Sequence, residues 1–111
     1  MNSARISYPD RTREDVLASL RRQVEELADR FPVEKAVLFG SYATDDFTVA
    51  SDVDLLVVYR GKPRSDAYSE IRRGVDVRGL EPHPVPESEY DRRREHFDRM
   101  TEDGVVVYEN Q

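Results

Sequence analysis

The 111-residue chain has no cysteine and only two histidines, so carboxylates, hydroxyls and bound cations must carry whatever chemistry it performs. One stretch gathers such groups: Gly40-Ser41, then ten residues, then Asp52-Val53-Asp54. The two aspartates open an apolar run, Leu55-Leu56-Val57-Val58, that reads as a strand. Side chains alternate along a strand, so both carboxylates share one face, about 6.5 Å apart along the backbone, while Val53 turns to the core. Two converging anions repel each other, and a divalent cation removes that repulsion. All-oxygen donors and a partly hydrated site favour Mg²⁺ over Zn²⁺. Asp76, set between Val75 and Val77, shows the same alternation. If its strand neighbours the first, about 4.8 Å away, it completes a three-carboxylate cluster. Carboxylates holding Mg²⁺ are common machinery for phosphoryl and nucleotidyl transfer.

Gly40-Ser41 follows an apolar strand and can open a helix, which points backbone N–H groups and a hydroxyl at an anion. Glycine permits a close backbone approach there. Plainer readings stand beside these: a strand-entry turn for Ser51-Asp52, a helix cap for Ser41, and a surface-facing strand position for Asp76. His83, between prolines, reads as an exposed connector residue, and His96 as a solvated helix residue.

The elements that must position these residues follow from periodicity. Thr12 caps a first helix with Asp15 as its capping-box partner, and Val16, Leu17, Leu20, Val24, Leu27 and Ala28 recur at helical spacing until Pro32. A strand is expected over Val33–Phe39 and a short helix or turn followed by a loop over Tyr42–Ala50. A strand apolar on both faces, hence central, is expected over Val53–Tyr59. A short helix covers Ser65–Arg73 and stops at Gly74, and Val75-Asp76-Val77 reads as a third strand. Glu81-Pro82-His83-Pro84-Val85-Pro86 holds three of the six prolines and reads as a stiff connector, neither helix nor central strand. One helix is expected from Glu87 to Met100, with Arg92-Arg93-Arg94 a solvated face balanced by Glu89, Asp91, Glu95 and Asp98. Val105–Tyr108 closes as an edge strand. The fold class is therefore α/β (α+β): a small mixed sheet of about four strands with helices packed on it. One domain over residues 1–111 is expected, with 1–11 a flexible N-terminal segment.

Twenty-three acids against 17 bases give a net charge of -6, which disfavours direct binding to a nucleic-acid backbone. No apolar run approaches the roughly 20 residues of a membrane span, and no signal-peptide core opens the chain. A cytoplasmic protein is the expectation.

Gly40-Ser41, ten residues, then Asp52-Val53-Asp54-Leu55-Leu56-Val57, set on successive strands, resembles the signature of the DNA polymerase beta-like nucleotidyltransferase superfamily, and the small size resembles its minimal nucleotidyltransferases. The resemblance implies that Gly40 and Ser41 hold the β- and γ-phosphates of ATP. It implies that Asp52 and Asp54 bind Mg²⁺, one or two ions, and that Asp76 is the third carboxylate, ligating metal and helping to deprotonate the acceptor hydroxyl. It further implies pairing with a HEPN-domain toxin, whose tyrosine the chain adenylylates as antitoxin. Related loops read Gly-Ser-x-Ala-Arg-Gly; here Thr44 and Asp45 stand in place of the Arg and Gly, and Asp46 adds an acid. Arg60, Lys62 or Arg64 are the candidate replacements for the missing cation. The alternative is a catalytically weak binding module that neutralises a helical partner by covering it. The edge strand would also allow pairing with a second copy.

Overall fold

A computed structural model of the protein describes residues 11–44, 46–48 and 51–111. The elements run α1 (Arg13–Leu27), β1 (Val33–Phe39), α2 (Ser41–Thr44), β2 (Val53–Tyr59), α3 (Ala67–Gly74), β3 (Leu80–Pro86), α4 (Glu87–Arg92), α5 (Arg94–Met100) and β4 (Val105–Glu109). The strands form one sheet in the order β3-β2-β1-β4, with β1 antiparallel to β2 and β4, and β2 parallel to β3. This is the expected small mixed sheet with helices. The expected flexible segment over 1–11 lies, but for Arg11, outside the described residues.

The capping box of α1 forms as the sequence dictates. The Asp15 amide donates to Thr12 Oγ1 at 3.0 Å, and the Thr12 amide donates to Asp15 Oδ2 at 2.9 Å. That second bond holds the Asp15 carboxyl below its ordinary pKa. The apolar stripe Val16, Leu17, Leu20, Val24 and Leu27 then packs on one sheet face, against Ala36, Leu38, Val53, Leu55 and Val57, with Ile71 of α3 beside it. The opposite face, Val37, Leu56, Val58 and Val85, is covered by Tyr90 of α4 and Phe97 of α5. Strand β2 therefore sits between two cores, which is why its sequence is apolar without alternation.

Two elements differ from expectation. The third strand is not Val75–Val77, which lies in the connection after α3; it is Leu80–Pro86, which contains the Glu81–Pro86 segment read as a connector. The reason is the position of its prolines. The Gly79 carbonyl accepts from the Val53 amide at 2.8 Å, whereas the Leu80 carbonyl turns away and accepts from Arg72 Nη1 at 2.8 Å. Alternation then turns Pro82, Pro84 and Pro86 away from β2 as well, so their missing N–H groups fall on the outer side of an edge strand. The expected helix over Glu87–Met100 is broken at Arg93 (φ -115°, ψ 35°) into α4 and α5. The break leaves Tyr90 and Phe97 both facing the sheet, while Arg93 and Arg94 pair with Glu89 and Asp98 on the solvent side.

Candidate active site

Strand β1 ends and β2 begins at the same end of the sheet. Phe39 is the cross-strand partner of Asp54, and Asp54 that of Glu81 on β3. Partners share a face, so Phe39, Asp54 and Glu81 form a row across three strands, with His83 two residues beyond Glu81 on the same side. This is the face covered by Tyr90 and Phe97, and Phe39 and Met100 border that apolar cluster. The row lies where the apolar cover gives way to polar side chains.

The turn after β1 closes over Asp54. Gly40 has φ +80°, and a Cβ there would lie 2.5 Å from Asp54 Oδ2. Glycine is thus required twice, by conformation and by space. Its carbonyl accepts from the amides of Ala43 and Thr44 at 3.1 and 3.3 Å, starting the single turn of α2. The sequence anchors that turn from below. Tyr42 is buried, stacks on Phe47 at a centroid distance of 4.1 Å and accepts from Arg11 Nε at 3.0 Å. Arg13 Nε donates to the Ala43 carbonyl at 3.1 Å. Ser41 is thereby held half-buried at the start of α2, beside Gly40. On the other side of Asp54, His83 Nε2 lies 3.3 Å from Oδ1, and the Phe39 ring meets the imidazole edge-on at 5.0 Å. The Asp54 and His83 side chains remain 27% and 39% exposed, open to a ligand.

Of the residues singled out from sequence, Gly40, Ser41 and Asp54 come together, and Asp52 stands exposed one residue before β2. Asp76 does not join them. Its amide donates to Gln23 Oε1 at 2.6 Å and its carbonyl accepts from Gln23 Nε2 at 3.2 Å, which fixes it beside α1, on the opposite side of the sheet from Asp54. The alternation Val-Asp-Val signalled a strand, but the segment instead brackets a glutamine. The register places Glu81, not Asp76, beside Asp54. His83, expected to be a connector residue, touches Asp54. The period-two pattern Glu81-Pro-His83-Pro is the signal that could have found both, since prolines on alternate positions mark an edge strand whose other positions share a face.

The replacement cations expected after β2 are also elsewhere. Arg60 pairs with Glu34 Oε1 at 3.2 Å, and Arg64 with Asp66 at 2.9 Å. Both follow Tyr59, at the end of β2 away from Asp54. A groove of about 320 Å³ beside Gly40 and Thr44 is lined instead by Arg99, together with Glu102 and Asp103. Asp46 accepts from Thr44 Oγ1 at 3.3 Å, and Asp45 lies outside the described residues.

Among the described residues, no three acidic, histidine or cysteine side chains gather tightly enough to cage a metal as they stand. The donor chemistry nonetheless fits a hard divalent cation. Asp54 and Glu81 are neighbours in register, Asp52 precedes Asp54 by two residues, and the Gly40 turn is shaped around a carboxylate oxygen.

The model of the nucleotidyltransferase domain matches residues 20–106, most of the chain and all of this site. The chain belongs to the nucleotidyltransferase domain family. A protein of Methanocaldococcus jannaschii named "Putative protein adenylyltransferase" is 35% identical over 49 residues, 44% of this chain and 50% of the relative, so the chain matches about half that protein's length. A crystal structure titled as a "putative nucleotidyltransferase" from Sulfolobus solfataricus superimposes with a TM-score of 0.60 at 24% identity, covering 88% of this chain and 84% of that one. That likeness supports the nucleotidyltransferase fold. No helix among the described residues is long and apolar enough to cross a membrane.

Proposed function

We propose that this nucleotidyltransferase transfers AMP from ATP, with Mg²⁺, to a protein hydroxyl, and that the acceptor is a tyrosine of a HEPN-domain toxin, making the chain its antitoxin. The observation that carries the reading is the seat of Asp54 directly beneath the Gly40 turn, which sets a phosphate-binding loop against a metal-binding acid across one strand pair. The adenylyltransferase name of the M. jannaschii relative supports the choice of reaction.

In this reading the backbone N–H groups at Gly40 and Ser41 and the Ser41 hydroxyl hold the β- and γ-phosphates. Arg99, in the groove beside Gly40, offsets charge on the departing pyrophosphate. Asp52, Asp54 and Glu81 would hold the cation, which when bound supplies charge neutralisation at the phosphates. Glu81 also accepts the proton of the attacking hydroxyl. The acceptor oxygen bonds to the α-phosphorus as the bond to the β-phosphate oxygen breaks in line, leaving an adenylylated acceptor and pyrophosphate. With net charge -6, the protein repels free ATP, so the cation and Arg99 offset a hostile field.

The test is incubation with labelled ATP, Mg²⁺ and a HEPN protein encoded beside this chain. Label is expected on that protein with the wild type and not with Asp54→Asn; absence of label with both sinks the reading. A second reading, neutralisation by binding alone, is favoured by Thr44, which stands where the related loops carry Arg and donates to the added acid Asp46. It requires Asp54→Asn to keep full neutralisation in cells.

A further inference from the structure

We infer that His83 is a direct nitrogen donor to the divalent cation and tilts the site toward Mn²⁺ over Mg²⁺. The inference rests on the reading of Asp54 as a cation ligand. Its Oδ1 and His83 Nε2 stand 3.3 Å apart. Two adjacent donors on one octahedral cation, each about 2.0–2.2 Å from it, are separated by about 2.8–3.1 Å, so the two side chains stand within a few tenths of an ångström of the spacing a shared ion takes.

The imidazole is fixed for that task. It projects from β3, where Pro82 and Pro84 stiffen the backbone on both sides, and Phe39 packs against its edge at 5.0 Å. Glu81, two residues earlier on the same face, adds an oxygen donor in register with Asp54. The set is therefore mixed, oxygen with one imidazole nitrogen. Mg²⁺ prefers oxygen alone, whereas first-row transition ions take imidazole readily, and Mn²⁺ accepts both in the octahedral geometry that carboxylates and phosphates suit. A His83 that only hydrogen-bonded Asp54 would do the reverse: it would compete with any cation for Oδ1.

The experiment is Mn²⁺ binding without nucleotide, followed by the loss of the free-ion paramagnetic resonance signal and by Mg²⁺ competition. It uses the full chain as wild type, His83→Ala, His83→Asn and Asp54→Asn, each checked for folding by thermal unfolding. The wild type is expected to bind Mn²⁺ at least about tenfold more tightly than Mg²⁺. His83→Ala and His83→Asn are expected to lose about tenfold or more in Mn²⁺ affinity with Mg²⁺ changed less than about threefold, and Asp54→Asn to lose both ions. Unchanged or tighter Mn²⁺ binding by a folded His83 variant overturns the inference, as does a wild type that binds no Mn²⁺ at millimolar concentration. His83-dependent Mn²⁺ binding without AMP transfer would retire the proposed reaction and leave this inference standing; AMP transfer with His83-independent binding would do the opposite.

Discussion

Strands β2 and β3 deliver polar groups to the same face by opposite means. In β2, a central strand, Asp54 interrupts a run that is otherwise buried on both sides, and it is accommodated because Gly40 leaves room above it. In β3, an edge strand, Glu81 and His83 alternate with prolines that no central strand could contain. A central strand announces its site residues as exceptions to an apolar pattern. An edge strand presents them within a pattern that looks like the absence of structure.

That contrast can be broken by substitution. The largest expected effect is at β2: Asp54→Asn lowers AMP transfer at least about a hundredfold, measured with labelled ATP, with little change in thermal unfolding. The β3 side is sharpened by a pair of variants. Glu81→Gln lowers transfer about tenfold or more, whereas Asp76→Asn, on the other side of the sheet, leaves transfer unchanged in the same assay; the reverse order would restore Asp76 as the third acid. Gly40→Ala destabilises by about 1–3 kcal/mol in urea unfolding, because a side chain at positive φ meets the Asp54 carboxylate.

The smaller effects lie away from both strands. Thr12→Ala removes the α1 cap and costs about 1 kcal/mol in the same measurement. Asp15 gives a pH signature. Its carboxyl is held down by the Thr12 amide, so its contribution is complete above the ordinary carboxylate range and is lost as pH falls through the depressed folded value. Asp15→Asn should therefore reduce the gain on the acid side of the stability curve, leaving the part owed to Asp66, whose carboxyl Arg64 also holds down; a curve identical to wild type would remove the capping-box account.

Helix α1 and strands β1, β2 and β4 were legible from sequence, because each follows from local periodicity; Gly40 was expected to approach a phosphate, and its seat over the Asp54 carboxylate is a feature of the fold. Strand β3 was not, since prolines break helices and central strands but not an outward-facing edge, and edge position is a property of the whole sheet. Asp76 misled for a related reason: Val-Asp-Val satisfies strand alternation, yet Gln23 supplies the hydrogen bonds that a neighbouring strand would have given. The break at Arg93 was not legible because Tyr90 and Phe97, seven residues apart, share a face on an unbroken helix as well, so the periodicity reads straight through it.

The alternate prolines of β3 also decide where this sheet can grow. Pro82, Pro84 and Pro86 offer an incoming strand carbonyls without amide hydrogens, so strand addition beside Glu81 and His83 is blocked. The opposite border, β4, has no proline and exposes Val106 at 45%. Any partner that extends the sheet, a second copy included, must therefore dock by β4, two strands away from β2, and leaves the row of Asp54, Glu81 and His83 uncovered.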